Sequence, residues 1–239
     1  MAAPLPSRPK LFTFDTYGTL IDWDSALREY IADLLRAKGS DLDTRAFHHE
    51  WYFGFALPAV SGPFLIYREL LTTTLQQALR AAGVDVDPAD AADVGDAMAA
   101  AQPFPDAVES LGQLAEYAPL ATISNSQADI ISESSRKLGN PFTYIFTGEV
   151  VKHYKPHQAL FDLVLASAGA APADTIHIAQ SQYVDLPRSV PMGMATVWVN
   201  RHHQDLEPGT PAPTIEVHDM VDLDRRIGLR DTGRETTQP

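Results

Sequence analysis

A single strand-like run stands apart from the rest of the strands in this chain. Residues 10–15, KLFTFD, are apolar and end in an acid, and Tyr17-Gly18-Thr19 breaks the run. It reads as a buried parallel strand. From Asp24 to Ala101 the pattern is helical and holds no convincing strand. Only after Pro103 does a regular alternation of strands and helices begin. A lone strand cannot satisfy its own edges, so it must pair with the later strands. The stretch between then has to be an insertion.

The helical block has readable ends. Asp24 and Ser25 offer caps for a helix to about Ala37, stopped near Gly39, and Asp43 with Thr44 offers the next. Phe64 to Ala82 repeats apolar residues at helical spacing and ends at Gly83, and Asp87 to Ala101 is Ala-rich and helical. Residues Trp51 to Tyr67 carry no charge and are interrupted by Pro58, Gly62 and Pro63, which suits a buried helix–loop–helix or a site cover. The alternation that follows predicts helices over Asp106–Tyr117, Gln127–Leu138, Pro156–Ala168, Val184–Val190 and Met220–Ile227. The predicted strands are Leu120–Ser124, Tyr144–Phe146, Thr175–Ala179, Ala195–Val199 and Thr214–Val217. This order calls for an α/β fold: a doubly wound parallel sheet, Rossmann-like, with an inserted all-helical domain. The expected division is a core of residues 1–21 and 103–230, a helical domain of 22–102, and a flexible polar tail of 231–239.

Composition narrows the function classes. With 239 residues a core plus an insertion is affordable. The net charge of −13 opposes nucleic-acid phosphates and anionic lipid, so no nucleic acid and no membrane are expected as partners. An anionic substrate would need cations placed locally in the site. No cysteine is present, which removes disulfides and thiolate chemistry. The N-terminal residues carry no apolar signal core, and a cytoplasmic location is expected.

In open parallel sheets ligands sit beyond the carboxyl ends of the strands, where the winding reverses. Asp15, Ser124-Asn125, Lys155, Gln180 and Asp185 all fall at such ends. Each has a plain structural alternative: Ser124, Asn125 and Asp185 could cap helices, and Lys155 could be a solvated loop residue. Together they support one chemistry. Asp15 could attack an electrophile and form a covalent intermediate, with Lys155 holding its pKa down. Thr19, Ser124 and Asn125 supply donors, and Asp185 could deprotonate a water.

Here the sequence resembles the haloacid dehalogenase superfamily. Phe14-Asp15-Thr16-Tyr17-Gly18-Thr19-Leu20 looks like its first motif, Thr122-Ile123-Ser124-Asn125 its second, and Tyr154-Lys155-Pro156 its third. Ala179-Gln180-Ser181-Gln182-Tyr183-Val184-Asp185 is a variant of the fourth, and Val197-Trp198-Val199-Asn200-Arg201 resembles a segment of the 2-haloacid dehalogenase branch. Phosphatases of the superfamily carry an acid two residues after the nucleophile, where this chain has Tyr17, and often another where it has Gln180. Asp15 and Asp185 alone make a poor Mg²⁺ site, so no cofactor and no metal ligand are expected; Mg²⁺ would matter only to a phosphatase.

The resemblance implies displacement by Asp15 at C2 of a small 2-substituted carboxylate. Water oriented by Asp185 then hydrolyses the ester and releases a 2-hydroxy acid. Tyr17, Thr16, His49, Phe64, Gln180 and Gln182 are the expected substrate contacts, with Trp51, Phe53 and Tyr67 as further aromatic lining. The chain also departs from the branch. Phe47-His48-His49-Glu50-Trp51 lacks the halide-receiving arginine, so a protonated His48 or His49 would have to stand in, and Phe161 replaces a tyrosine. Alternatives are a hydrolase of another C–N, C–O or phosphate ester bond, or a catalytically silent relative. Dimerisation through the cap is what the resemblance implies for partners.

Overall fold

The computed structural model describes residues 2–227. The tail expected at 231–239, and the end of the core expected at 230, lie outside them. Strand β1 (Leu11–Phe14) is buried along its whole length. A short β2 (Ile21–Asp22) then leads into helix α1 (Trp23–Ala37). The Asp22 side chain accepts from Ser25 N, so the cap stands two residues before the expected Asp24. Helix α2 (Thr44–Trp51) is capped by Asp43, as its spacing from Ala46 predicts. It passes through a wider π-helical turn, Tyr52–Ala56, into α3 (Leu57–Ala59).

Helix α4 (Tyr67–Ala81) starts three residues later than the apolar repeat suggests. Ile66 is extended with ψ 145°, so the helix begins only after it. Helix α5 (Val94–Ala100) is shorter than expected, because Ala91 takes a positive φ of 64° and Asp87–Asp93 forms turns. The chain returns through β3 (Gln102–Pro103), which pairs antiparallel with β2. The helical block thus leaves and re-enters through two adjacent strands.

The alternation follows in the expected order, with a short unpredicted helix α8 and a later start to α9: α6 (Ala107–Ala115), β4 (Leu120–Ser124), α7 (Ala128–Lys137), β5 (Tyr144–Thr147), α8 (Gly148–Val151) and α9 (Ala159–Ala168). Then come β6 (Thr175–Ala179), α10 (Leu186–Ser189), β7 (Ala195–Val199), β8 (Ile215–Val217) and α11 (Met220–Arg226). Six strands form one parallel sheet in the order β5-β4-β1-β6-β7-β8. The first strand is therefore central, and the winding reverses on its two sides.

Alternate residues of β1 feed different cores, as a pleated strand requires. Phe12 and Phe14 pack with Leu111, Leu114, Ile176, Val197 and Leu223 on one face. Leu11 packs with Ile123, Leu160, Phe161 and Val164 on the other. A third cluster lies inside the helical block, around Leu27, Ile31, Trp51, Leu75 and Leu79, and takes in Ile130 from α7. Arg68 ties block to core: its backbone N–H donates to Gln127 Oε1, and its guanidinium meets Asp129 and Asp96 at 2.8 and 2.6 Å. No helix among the described residues is long and apolar enough to cross a membrane.

Candidate active site

The site grows from the end of β1. Asp15 is the first residue beyond the strand, and its backbone N–H donates to the Ile178 carbonyl at 3.0 Å. The chain then turns back tightly. Leu20 and Ile21 N–H both donate to the Thr16 carbonyl, and Gly18 takes φ +89°, a conformation that favours glycine. An added Cβ there would stand 3.0 Å from Gln180 Oε1 and 3.2 Å from Trp23 Nε1. The turn brings the Thr19 hydroxyl onto Asp15 Oδ2 at 2.7 Å, while Gln180 N donates to Thr19 Oγ1 at 2.8 Å. The adjacent strand ends β1 and β6 are thereby stitched together through one hydroxyl.

Lys155 supplies the counter-charge. Its ammonium lies 2.8 Å from Asp15 Oδ1 and 2.8 Å from Asp185 Oδ1. The lysine does not hold itself there. Asn125, just after β4, uses its amide to accept from Lys155 N (2.6 Å) and donate to Lys155 O (3.1 Å). Asn125 therefore positions the lysine backbone and does not bond Asp15. Neighbouring strand ends thus converge three charged groups, all of them buried.

Burial and charge act against each other in this cluster. Burial pushes the Asp15 carboxyl up, and the Asp185 charge adds to this. Lys155 and Thr19 offset only part, so Asp15 lies above the ordinary carboxylate range, not below it as the sequence suggested. Burial also works against an ionised Asp185, but Lys155 and His177 outweigh it and hold that carboxyl down. Lys155 is raised despite its burial, because both carboxylates face it. Two carboxylates around one ammonium leave Asp15 as the less stabilised anion of the pair and Asp185 as the better stabilised one.

Above the cluster is a small cavity of about 70 Å³. Asp15, Lys155, Asn125 and Ser181 form its polar side. Tyr17, Trp23, Trp51, Tyr52, Tyr67, Leu70, Leu71 and Met98 line the rest. The charge-free run from Trp51 to Tyr67 contributes Trp51, Tyr52, Ala56, Leu57, Val60 and Tyr67, so it does cover the site. Tyr17 is directed at Ser134, with its hydroxyl 3.0 Å from Ser134 Oγ, and burial pushes its pKa up to about 12. It stays protonated and is no substitute for a carboxylic acid. The Thr16 and Ser124 hydroxyls are buried beside the strand ends without a protein partner.

Other expected contacts lie elsewhere, and the packing explains each. His49 is exposed on α2, tilted against Phe53 at 4.6 Å, in an outer groove. His48 is buried between Trp23 and Trp51, with Nδ1 3.3 Å from Asp24 Oδ1. Burial lowers its pKa below the usual histidine value, so it is poorly suited to bind an anion as a cation. Phe64 sits on Tyr154 at 5.1 Å, under Lys152 and outside the cavity. Phe53 likewise faces outward, against Tyr183 at 5.3 Å. Gln180 turns toward the outer groove, and its carbonyl receives Trp198 Nε1. Gln182 is occupied by the backbone of Asp205 and Glu207. Among the residues that local sequence did not reveal are the cavity-lining Trp23, Tyr52, Met98 and Ser181, and His177, inside β6 and 3.0 Å from Asp185 Oδ1. A histidine in an otherwise apolar strand was the available signal.

Among the described residues no group of three or more His, Cys, Asp or Glu side chains converges as a metal site. The two carboxylates at the strand ends share the Lys155 ammonium and have no third anionic partner, so the donor set fits Mg²⁺ poorly.

Residues 9–186 match the model of the haloacid dehalogenase-like hydrolases. The chain belongs to that family. It is 26% identical over 223 residues to the (S)-2-haloacid dehalogenase of Xanthobacter autotrophicus, covering 85% of this chain and 82% of that protein. A pyrimidine 5'-nucleotidase of Escherichia coli, YjjG, is 26% identical over 128 residues, 52% of this chain and 56% of its own. Among solved structures, the L-2-haloacid dehalogenase from Xanthobacter autotrophicus with chloropropionic acid covalently bound superposes with a TM-score of 0.79. That match is at 20% identity and covers 94% of this chain and all of the other. At that identity the likeness carries the fold. The chain is thus a hydrolase of the haloacid dehalogenase family, with the parallel sheet and helical cap architecture of its structural neighbours.

Proposed function

We propose that this hydrolase cleaves the carbon–halogen bond of a small 2-haloacid through an ester on Asp15. The observation that carries the reading is the buried Asp15–Lys155–Asp185 cluster at 2.8 Å contacts, facing a small aromatic cavity with Tyr17 where a general acid would stand. An Asp15 oxygen attacks C2, the C2–halogen bond breaks, and halide leaves with the bonding electrons. Halide needs no proton, so a tyrosine bonded to Ser134 costs nothing at this step. A phosphate ester or other alkoxide leaving group would need the missing acid.

The small, largely apolar cavity suits a molecule of a few heavy atoms. Lys155, Ser124 and the backbone N–H groups after β1 and β4 suit the substrate carboxylate. The helical segment 22–102 would act as a cap that excludes water while the ester forms. The donor set supports chemistry without a metal, so Asp15 is free to bond carbon. His48, neutral and paired with Asp24, leaves the halide to the aromatic edges and Asn125.

The test is halide release from (S)-2-chloropropanoate in the presence of a chelator, with Asp15→Asn as control. Chelator-insensitive release by the parent, and none by the variant, is expected. Release only with added Mg²⁺, or turnover of a phosphate ester but no haloacid, would overturn the reading.

A further inference from the structure

Strand β6 reads Thr175-Ile176-His177-Ile178-Ala179 and is buried throughout. An imidazole enclosed this way is costly unless both ring nitrogens find partners. Both do. Nδ1 lies 2.9 Å from Thr13 Oγ1, on the residue that is its register partner on β1. Nε2 lies 3.0 Å from Asp185 Oδ1. A carboxylate can only accept, so the hydrogen sits on Nε2 and Nδ1 accepts from the threonine hydroxyl. Phe161 packs edge-on at 5.3 Å and fixes the ring plane.

This arrangement divides the labour between the two oxygens of Asp185. Oδ1 receives Lys155 Nζ at 2.8 Å and His177 Nε2 at 3.0 Å. Oδ2 is buried with no protein partner. Two donors from different elements fix the rotation of the carboxylate and leave all the free acceptor capacity on one oxygen. Lys155 alone would not fix it, since its flexible stem also serves Asp15.

We infer that His177 is a positioning residue, which pins Oδ1 so that Oδ2 of Asp185 holds and deprotonates the water that hydrolyses the Asp15 ester. This rests on the ester reading above. In that step water oxygen attacks Asp15 Cγ and passes a proton to Asp185 Oδ2. The bond from Cγ to the ester oxygen breaks, that oxygen stays on C2, and the departing alkoxide takes the proton from Oδ2 to become the 2-hydroxy acid. The regenerated Asp15 carboxyl releases its remaining proton to solvent. His177 touches none of the reacting atoms. Its effect should fall on hydrolysis and spare alkylation, a split that general loss of packing would not produce.

The experiment is a single turnover of (S)-2-chloropropanoate, with ester on the protein followed by intact mass and halide by release. For His177→Leu, alkylation is expected within about threefold of the parent and hydrolysis slowed by about ten- to a hundredfold, so that ester persists. His177→Gln, which returns an N–H donor near Nε2, should recover most of the hydrolysis rate. Equal slowing of both steps in His177→Leu, or no slowing of hydrolysis, overturns the inference. Asp185→Asn separates the two levels. If it traps ester while His177→Leu does not, only the role of His177 falls. If no variant ever forms ester, the ester reading falls and this role with it.

Discussion

Asp15 and Asp185 are the same residue type, a few ångströms apart around one lysine, yet their surroundings push them in opposite directions. The Asp15 carboxyl sits above its ordinary value of 3.8, so the fold binds that proton more tightly than the unfolded chain does. Its contribution to stability is complete at low pH and is lost as pH rises through the raised value. Asp185 is held down, so its contribution is present above 3.8 and is lost as pH falls through the lowered value. At neutral pH, Asp15→Asn should therefore abolish turnover while leaving the melting temperature unchanged or higher. Asp185→Asn should lower stability by about 1–3 kcal/mol, because Lys155 and His177 lose an anionic acceptor. Thermal melts of the two variants at pH 7 check this. A less stable Asp15→Asn with an unaffected Asp185→Asn would reverse the assignment of which carboxylate the fold tolerates and which it needs.

At the scale of elements, the site depends on two departures from regular structure. The first is the wide turn at Tyr52–Ala56, where Leu57 N–H donates to the Tyr52 carbonyl five residues back. Pro58 has no N–H to continue an α-helical ladder at this point, and a π-turn absorbs the mismatch. Tyr52 then lines the inner cavity, while Phe53 faces Tyr183 outside. The second is the loop from Lys152 to Gln158 that delays helix α9 and carries Lys155. Tyr154 is buried in it and donates to the Leu65 carbonyl at 2.7 Å, which joins the loop to the helical block. Gly148 makes room for that ring: a Cβ there would run into Tyr154 and stand 2.8 Å from the His153 carbonyl. Gly148→Ala should cost about 1–3 kcal/mol through overpacking. It should also lower halide release, because Lys155 follows Tyr154 in the same loop. A melt combined with the release assay tests this; full activity at unchanged melting temperature would show that the loop is looser than its contacts imply.

The whole molecule carries a net charge of −13 and yet is proposed to take up an anion. The outer groove offers a local remedy. Trp23 and Tyr52, whose rings lie 5.0 Å apart, border both this groove and the inner cavity. Arg28, Arg45, His49 and His202 also line the groove, with Asp24 paired to Arg28 at 2.7 Å. Arginines in a groove beside the cavity would raise the local concentration of an anionic substrate, an effect screened by salt. Arg45→Glu should lower kcat/KM for 2-chloropropanoate several-fold at low ionic strength, leave kcat unchanged, and lose its effect at high salt. An effect on kcat, or one that salt does not alter, would exclude steering through this groove.

Much of this was legible in the chain itself. Hydrophobic periodicity placed β1, β4, β6 and β7 nearly to the residue, because each is a short, fully buried run with turn-forming neighbours. Strand ends then pointed to Asp15, Asn125, Lys155 and Asp185, since in a parallel sheet those ends share one edge. Local sequence was less informative wherever a distant group decides the outcome. The late start of α4 and α9, the turns before α5 and the π-turn answer to packing and to prolines acting against longer helical patterns. Which side chains reach the cavity also escaped the reading. His49, Phe64, Gln180 and Gln182 face outward because neighbours from other elements claim them, whereas Trp23, Tyr52 and Met98 face in. The type and order of elements follow from periodicity along the chain. The sign of the Asp15 shift, the use of His177 and the shape of the cavity depend on burial and on partners brought together from across the fold, and those exist only once it has closed.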